Sequence, residues 1–446
     1  MKTTKLSMKL LAILFVLFSI SSISAKTIYV TTKGNGANDG LSWTSPKLTM
    51  IQALGIAQEG DQIWVKTGTY SSTIAATVPF KNISIYGGFA GTETNLSERY
   101  WSFYKTILTN TGTTTSSRLL LVGSPTVDAA NCIIDGFTLQ NGYSTTGGAI
   151  SFSTITGATT ISDITVRNCI FKNNLSTANG GAVTVTSALC SVSFYNCVFE
   201  NNEATLSASA ANILGKGQFY NCTFVNNKAD ATTGTVVYIS GENTMVNCIL
   251  WNNQNSDASL SKVTTSTATI VNHIAADVTV GAATNLISLN TANANIAGPN
   301  FKSPGTVVGV VADVTTLDAF DYSLLDASPC VNAGKDSVVV DSYDLANMSR
   351  IYGGKVDLGA YENQHVTISA LNEFSLNNPV WISVQNKTLT VHGLTSSADL
   401  ILITLDGRVV LKKTVDENGT IEIPAKGVYI LNVTQGSIKC NIKVII

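Results

Sequence analysis

A short pattern of asparagine and cysteine recurs four times in the middle of the chain and constrains its fold more than any other feature. Each copy has Asn-Cys, an apolar residue two places on, and then Asn-Asn, as in VRNCIFKNN at residues 166–174. The Asn-Cys pairs begin at residues 168, 196, 221 and 247, so successive copies are 28, 25 and 26 residues apart. A unit this short cannot bury its own apolar face, so the copies are expected to stack.

The pattern inside each copy predicts one coil of a solenoid. In SVSFYNCVFENN (residues 191–202), Val192 and Phe194 alternate with polar residues, Asn196 interrupts, and Cys197 and Phe199 then alternate on the shifted parity. Alternation predicts strands with one buried face, and the shift of parity predicts a bend between them. A further strand is expected where Gly pairs open GGAISF (147–152) and GGAVTV (180–185), with GTVVYIS (234–240) as a degenerate copy. Three short strands per coil indicate a parallel β-helix.

Two columns of side chains should then run along the helix. Free, buried thiols are expected to form one inward column, and asparagine amides a corner column that is hydrogen-bonded from coil to coil. Disulfides stay an alternative, because adjacent coils lie about 4.8 Å apart and bridges span Cα separations of roughly 4.4–6.8 Å. Zinc is disfavoured, since there is no CxxC pair and only three His residues. The thiol column comprises Cys169, Cys197, Cys222 and Cys248, with Cys132 as a candidate fifth member, and the corner column comprises Asn174, Asn202, Asn227 and Asn253.

Charge and length limit the functional classes. The 446 residues suffice for more than one domain, 13% of them are charged, and the net charge is −2. No basic stripe is present, so a nucleic-acid partner is not expected.

The first residues are typical of an export signal. Three lysines precede the apolar run LLAILFVLFSI (residues 10–20), and small residues follow it. We predict a signal peptide at residues 1–25, cleaved after Ala25, and no transmembrane segment in the mature chain; a retained membrane anchor is the alternative.

A helix is expected to cap the N-terminal end of the solenoid at about residues 45–60. Ser45 is a candidate N-cap with Pro46 at the first helical position, and Leu48, Ile51 and Leu54 follow at helical spacing. DQIWVKTGTY (61–70) then reads as the first full strand and its turn.

Both ends of the solenoid, and its repeats, resemble a known family. TIYVTTKGNGANDGLSWTSP, EGDQIWVKTGTY and CIIDGFTLQNGYSTTGGAI are similar to secreted proteins of the pectin-lyase-like superfamily, in particular the polymorphic-outer-membrane-protein-like set. The segment Ser328–Glu362 resembles the closing element called the choice-of-anchor Q domain. The resemblance covers roughly Thr27–Glu362 and implies a right-handed parallel β-helix at residues 26–365.

The composition changes after Glu362, where alternating strands begin. Asp406–Gly407 is a hairpin signal, and evenly spaced strands predict a small β-sandwich at residues 366–446. The predicted fold class is thus all-β, a right-handed parallel β-helix followed by a small C-terminal β-sandwich. The Asp406–Gly407 turn, the run 427–430 and the end 443–446 resemble the C-terminal sorting domain of type IX secretion. That resemblance implies the secretion machinery as a partner, with outer-membrane passage and surface attachment. An ordinary carbohydrate-binding or immunoglobulin-like tail is the alternative.

The repeats carry few groups suited to catalysis. Arg167 and Lys172 flank one bend, Glu200 and Glu203 lie at the next corner, and solvated turns are the expected setting for most ionisable groups here. The signatures that polygalacturonases of this fold carry are missing, and no carboxylate cluster suited to calcium is seen. No catalytic, cofactor-binding or metal-binding residue is therefore predicted. The ionisable residues of the repeats are Asp163, Arg167, Lys172, Glu200, Glu203, Lys216, Lys228, Asp230 and Glu242.

The closing segment is richer in charge. A cation site formed by Asp341, Asp344 and Asp357 is one interpretation, but structural pairing of Arg350 with one of these carboxylates is favoured. The charged residues there are Lys335, Asp336, Asp341, Asp344, Arg350, Lys355, Asp357 and Glu362.

Aromatic residues are the other candidate contact points. ERYWSFYK (98–105) holds Tyr100, Trp101, Phe103 and Tyr104, which either stack sugars or, as we favour, seal the end of the helix. Trp251 is expected to be exposed.

These observations favour an exported, cell-surface binding protein, adhesin-like or recognising a glycan or a host or bacterial surface protein. A polysaccharide lyase or glycoside hydrolase is the alternative, and a structural surface-layer component is a third class.

Overall fold

The computed structural model describes residues 25–445 apart from several gaps, and it divides the chain into two compact units, Met1–His365 and Val366–Ile446. The predicted signal peptide, except Ala25, lies outside the described residues. The gaps are residues 80, 112–116, 127–128, 159–161, 258–261, 266–268, 278–279, 281–282, 290–297, 365–380, 386–387, 393, 405–408, 417–418, 424–427 and 437.

The first unit is a stack of coils whose strands pair in parallel with the coils above and below. Four strand columns run along the stack. The first contains Thr27–Val30, Gln62–Lys66, Ser84–Phe89, Cys132–Asp135, Ser162–Arg167, Cys190–Tyr195, Lys216–Tyr220, Asn243–Trp251, Thr269–Ala276 and Thr284–Ser288. The second contains Gly68–Ser72, Thr106–Asn110, Phe137–Gln140, Ile170–Lys172, Val198–Glu200 and Thr223–Val225, and it joins the first through Asn243–Trp251. The third contains Tyr143–Ser144, Leu175–Ser176, Glu203–Ala204, Lys228–Ala229 and Gln254–Asn255. The fourth contains Ala76–Val78, Leu120–Val122, Ile150–Phe152, Val183–Val185, Ala211–Ile213, Thr235–Ile239 and Lys262–Thr265.

Equivalent residues of successive coils stack inside the helix. Phe171, Phe199 and Phe224 form one column, with ring centroids 4.7 and 4.8 Å apart and nearly parallel planes. Cys169, Cys197, Cys222 and Cys248 are buried and free at equivalent places in successive coils, which confirms the thiol prediction for these four. The candidate fifth member, Cys132, is also buried and free, but it lies outside this column because its strand partner in the next coil is Ile164. Burial raises the pKa of the Cys169 thiol to about 12, so this thiol stays protonated at neutral pH.

At each Asn-Cys pair, where the alternation of apolar and polar residues shifts by one position, the backbone bends sharply. Asn168, Asn196, Asn221 and Asn247 all adopt φ between 52° and 58°, in the left-handed region. The asparagines that open each closing pair do the same, with φ of 56° at Asn173 and 51° at Asn201. Asparagine is among the few L-residues that tolerate this conformation. The repeated asparagines therefore set both corners of the coil.

The second asparagine of each closing pair forms a buried ladder through the stack. The Asn174 amide nitrogen donates to Asn202 Oδ1 at 2.9 Å, Asn202 donates to Asn227 Oδ1 at 2.9 Å, and Asn227 donates to Asn253 Oδ1 at 2.8 Å. Each amide also donates to a backbone carbonyl one coil earlier, as Asn202 does to Phe171 O at 3.0 Å. The predicted corner column is thus confirmed.

Two local predictions need correction. The four coils from Cys132 to Ile239 have four strands each and not three, because a two-residue strand follows the second asparagine corner, and the glycine pairs 147–148 and 180–181 form turns before the last strand. The N-terminal helix spans only Met50–Leu54. Its N-cap is Thr49 and not Ser45, because Thr49 and Gln52 form a reciprocal capping box.

A covering segment lies against the outside of the second strand column. We call residues 299–364 the return segment, because this part of the chain runs back along the coils toward the N-terminal end. Its successive carbonyls accept hydrogen bonds from corner asparagines of earlier and earlier coils: Gly305 from Asn226, Val307 from Asn201 and Val311 from Asn173. It contains an antiparallel pair, Phe301–Ser303 with Asp321–Leu324, and 3₁₀ turns at Val314–Ala319 and Asp336–Val338. A second apolar core forms between coils and return segment from Val198, Val225, Ile249, Ala275, Leu289, Phe301, Tyr322, Leu324, Cys330, Leu345, Leu358 and Ala360.

The second unit consists of two antiparallel sheets around its own apolar core. The strands that flank the predicted Asp406–Gly407 turn pair as a hairpin, and the turn itself lies outside the described residues. The predicted fold class, an all-β right-handed parallel β-helix followed by a small C-terminal β-sandwich, is confirmed. Among the described residues, no helix is long and apolar enough to cross a membrane. The sheets contain Trp381–Gln385, Thr388–His392 and Thr420–Glu422, and Val409–Val415, Ala398–Thr404, Val428–Gln435 and Ile438–Ile445.

Replacing an inner ladder asparagine should destabilise the first unit. In Asn202→Ala, the Phe171 carbonyl and the amides of Asn174 and Asn227 lose partners inside the core, so we expect a loss of about 3 kcal/mol in the free energy of unfolding. Urea denaturation followed by circular dichroism measures the change. The control is Asn212→Ala, at a half-buried strand position, with an expected change below about 1 kcal/mol. Equal effects of both variants would refute the structural role of the ladder.

Candidate functional site

The return segment buries charged residues that the sequence placed in solvated turns. Glu200 is 5% exposed, and Lys172 is also buried. Glu203 accepts a hydrogen bond from the Val310 amide of the return segment at 3.0 Å. The prediction of solvated turns is therefore wrong for these three residues, because the outer face of their strands is covered. It holds for Glu242, which is exposed in a bend, whereas Asp163 is exposed but lies in the strand Ser162–Arg167.

An open cleft remains where the coils, a lateral loop and the return segment meet. The lateral loop, residues 90–105, connects two strands and includes a 3₁₀ turn at Leu96–Glu98. The cleft has a volume of about 700 Å³. Its polar and aromatic lining includes Asn95, Ser97, Arg99, Trp101, Asp135, Arg167, Asn168, Asp341, Ser342, Tyr343 and Asn347.

Four charged side chains form a continuous ion-paired chain in this cleft. Asp135 and Arg167 end paired strands of adjacent coils, so the strand register places one beside the other. Arg99 of the lateral loop bonds Asp135, and Arg167 Nε donates to the same carboxylate oxygen at 2.7 Å. Arg167 Nη1 also donates to Asp341 of the return segment at 3.1 Å. The chain thus links all three walls of the cleft.

The four charged side chains of the ion-paired chain differ in how deeply they are buried. Asp135 is fully buried and the Arg99 side chain is 6% exposed, whereas Arg167 is 29% and Asp341 14% exposed. Burial raises the pKa of Asp341, and Arg167 opposes that shift. Burial alone would lower the pKa of Arg167, but Asp135 and Asp341 raise it, so this guanidinium remains charged. Arg167 and Asp341 are the charged groups accessible to a ligand.

The aromatic residues of the lateral loop do not seal an end of the helix. The Trp101 indole donates to Leu345 O of the return segment at 3.1 Å, and its ring meets Tyr343 edge-on at 6.4 Å. The Arg99 guanidinium lies over the Trp101 ring at 4.8 Å. Phe103 is 63% exposed and Tyr343 is 50% exposed. The predicted sealing role is wrong, because the loop joins the side of the coils to the return segment.

Trp251 is not an exposed contact point. Its ring packs against the outer core, and its edge lies close to the backbone at Gly298. A different aromatic feature lies on the outer face of the coils, where Tyr195 and Tyr220 stack at 5.0 Å with a 12° angle between their rings. The repeated FYNC at residues 194–197 and 219–222 carries the sequence signal for this pair.

The acidic residues of the return segment do not converge on one point. Asp344 accepts the Met348 amide, and Asp357 accepts the Asn332 amide, while Asp341 pairs with Arg167. Among the described residues, no group of three or more His, Cys, Asp or Glu is placed to hold a metal ion.

Arg350 pairs with a carboxylate of the closing segment, as expected, but the partner is Glu362 and not Asp341, Asp344 or Asp357. Arg350 Nη2 lies 3.6 Å from Glu362 Oε2, and both side chains are buried. Burial raises the pKa of Glu362 to about 8, against the lowering effect of Arg350.

A second buried acid joins the return segment to the coils. Glu200 accepts a hydrogen bond from the Tyr322 hydroxyl at 3.0 Å, and that hydroxyl accepts one from the Asn226 amide. Burial raises the pKa of Glu200 to about 7, although Lys172 and the Tyr322 bond lower it. Lys172 is itself paired with Asp318 at 2.5 Å. A carboxyl group with this pKa binds a proton readily near neutral pH.

Sequence reasoning missed the composition of the cleft. From the sequence, Arg167 and Asp341 are predicted only as separate charges, and Arg99 and Asp135 are not predicted as site residues. The position of Asp135, at the place that Arg167 takes one coil later, was the available signal.

Among the comparisons with known proteins, the one with solved structures finds matches. No family model and no curated protein matches the chain. Among solved structures, the chain is similar to the crystal structure of pectate lyase Pel9A, with a TM-score of 0.31 and 16% identity, over 77% of this chain and 98% of that chain.

The raised pKa of Glu200 predicts how stability changes with pH. The group binds its proton below about 7 in the folded state but only below its usual value of 4.5 when unfolded. Its contribution is therefore complete below pH 4.5 and is lost as the pH rises through 7. Between pH 4.5 and 8, the free energy of unfolding of the wild type should therefore fall by about 3 kcal/mol more than that of Glu200→Gln. Urea titrations at each pH test this, with Glu242→Gln as the exposed control; an unchanged pH slope in Glu200→Gln would contradict it.

Proposed function

We propose that this protein is an exported, cell-surface binding protein of adhesin-like role that holds an extended glycan in the cleft beside Arg167. The observation that carries the proposal is the cleft itself, which combines fixed charged groups with a half-exposed tyrosine. Glycan sites need these two components, since hydroxyl groups require polar partners and the apolar face of a sugar ring requires an aromatic surface.

Fixed side chains favour binding. Arg167 is held by Asp135 and Asp341, so its remaining donors are oriented before a ligand arrives. Asp341 is held in addition by the Asn196 amide at 3.3 Å. Such preorganisation reduces the conformational entropy that is lost on binding.

The same bonds argue against hydrolysis. A glycoside hydrolase needs one carboxylic acid and one free carboxylate on either side of the bond that breaks. In the cleft, Asp135 is bonded by two guanidinium groups and fully buried, and Asp341 is bonded by Arg167 and Asn196. Neither carboxylate is left free to exchange a proton with a substrate.

A polysaccharide lyase or glycoside hydrolase is the second candidate. It is favoured by the direct contact between a partly exposed guanidinium, Arg167, and a carboxylate of raised pKa, Asp341. Displacement of Asp341 by a substrate would free this pair for acid–base chemistry.

Export and display are parts of the proposal that rest on sequence. Residues 1–25 have the pattern of a signal peptide, and residues 366–446, which form a separate unit, resemble a type IX sorting domain. The type IX secretion machinery and the outer cell surface are therefore the proposed partner and location. A host or bacterial surface protein is the other proposed class of ligand.

The mature protein should bind polysaccharides without cutting them. We expect retention on at least one polysaccharide in affinity electrophoresis across a panel of neutral and uronic-acid polymers. Incubation with the same panel, with and without calcium, should give no new reducing ends and no unsaturated ends that absorb in the ultraviolet. Product release at enzyme-like turnover would establish the lyase or hydrolase alternative. Retention on none of the polymers would contradict glycan binding.

Removing residues 366–446 should block surface display but not folding. The first unit has its own core, so the truncated chain should keep its circular dichroism spectrum and thermal transition. Protease shaving of intact cells, with immunoblots of periplasm and surface fractions, should find the truncated protein inside the outer membrane. Normal surface display of the truncated chain would contradict the sorting role.

A further inference from the structure

We infer that the cleft beside Arg167 is built for a neutral saccharide and disfavours uronic acids. This inference rests on the proposed glycan-binding function and names the chemical class of its ligand.

The charges that line the cleft cancel. Its charged lining residues are two arginines, Arg99 and Arg167, and two aspartates, Asp135 and Asp341. Each positive group is bonded directly to a negative one, in the order Arg99, Asp135, Arg167, Asp341. The cleft therefore offers no net positive charge to replace the hydration of an incoming carboxylate.

The buried arginine is already engaged by Asp135 and by the backbone. Arg99 bonds Asp135, donates to the carbonyls of Gly87 and Asp135 at 3.3 Å each, and lies over the rings of Tyr86 and Trp101. Its guanidinium serves as the counterion of a fully buried aspartate. A second anion near it would leave Asp135 less well compensated.

The accessible pair matches a hydroxyl group. Arg167 uses Nε and Nη1 for Asp135 and Asp341, and its Nη2 has no hydrogen-bond partner within the described part of the chain. A sugar hydroxyl can accept from Nη2 and donate to the Asp341 carboxylate at the same time, which satisfies all three groups. A uronate carboxylate can only accept, and it would lie beside Asp341 with like charge.

An aromatic surface is available on the same wall. Tyr343 follows Asp341 by two residues in the return segment, and half of its side chain is exposed. A pyranose ring presents apolar C–H groups to such a surface while its hydroxyls point to the polar pair. Asn95, Ser342 and Asn347 add uncharged hydrogen-bonding groups to the lining.

The test uses the full mature chain and two sets of hexasaccharides, one of neutral gluco-, xylo- and mannooligosaccharides and one of oligogalacturonate and oligomannuronate. Isothermal titration calorimetry should show binding of at least one neutral ligand, with an affinity that changes less than about twofold between 50 and 300 mM NaCl. Uronates should bind at least about tenfold more weakly. Tighter binding of a uronate would overturn this inference and leave glycan binding intact. Binding of neither set, with none in the polysaccharide panel, would overturn both.

Two variants locate the site. Tyr343→Ala should weaken the neutral ligand about tenfold through loss of the stacking surface. Tyr238→Ala, which removes another exposed tyrosine in the strand Thr235–Ile239, is the matched control and should not. Asp341→Asn leaves one uncancelled positive charge, so uronate affinity should rise at 50 mM NaCl and fall again at 300 mM. Equal affinities of wild type and Tyr343→Ala would exclude the cleft as the site.

Discussion

The buried asparagine ladder is the interaction on which the rest of the structure depends. Each inner amide, at Asn202 for example, bonds the coil before it and the coil after it inside an apolar interior. If a coil slipped by one residue, these buried amides would lose their hydrogen-bond partners. Phe199 and its stacked neighbours would also turn outward, because side chains alternate along a strand. The ladder therefore fixes the register that aligns cysteines, phenylalanines and bends in columns.

The fixed register also gives the outer face of the second strand column a regular shape that another part of the chain can cover. The return segment covers it with apolar side chains, and its carbonyls pair the left-handed asparagines at the corners, as Val307 and Gly309 do for Asn201. A parallel sheet covered on both faces is the usual arrangement. Charged side chains on the covered face, such as Glu200, must then be paired or protonated, and the cleft lies where this cover meets the lateral loop.

The repeat predicted the solenoid well and the site poorly, for one physical reason. The positions of inward-facing residues such as Cys169 and Asn174 depend on the spacing of residues within one coil and between adjacent coils, and the sequence displays this spacing directly. Burial of Glu200 depends on Tyr322, 122 residues away, and alternation cannot reveal whether the outer face of a strand is covered. Trp251 was misjudged for the same reason. Ser45 was misjudged locally, because the capping box of Thr49 with Gln52 is the stronger signal.

The different roles of Arg99 and Arg167 follow from the burial of Asp135. A fully buried carboxylate is strongly destabilising unless opposite charge and hydrogen bonds compensate it, and Asp135 has two guanidiniums and the Asn168 amide. Arg99 is buried too and is confined by two aromatic rings, so it stays with Asp135. Arg167 is shared with Asp341 at the edge of the cleft and is partly open to solvent. In the proposed glycan site, recognition therefore falls to Arg167 and Asp341, a pair of opposite charges that suits hydroxyl groups better than carboxylates.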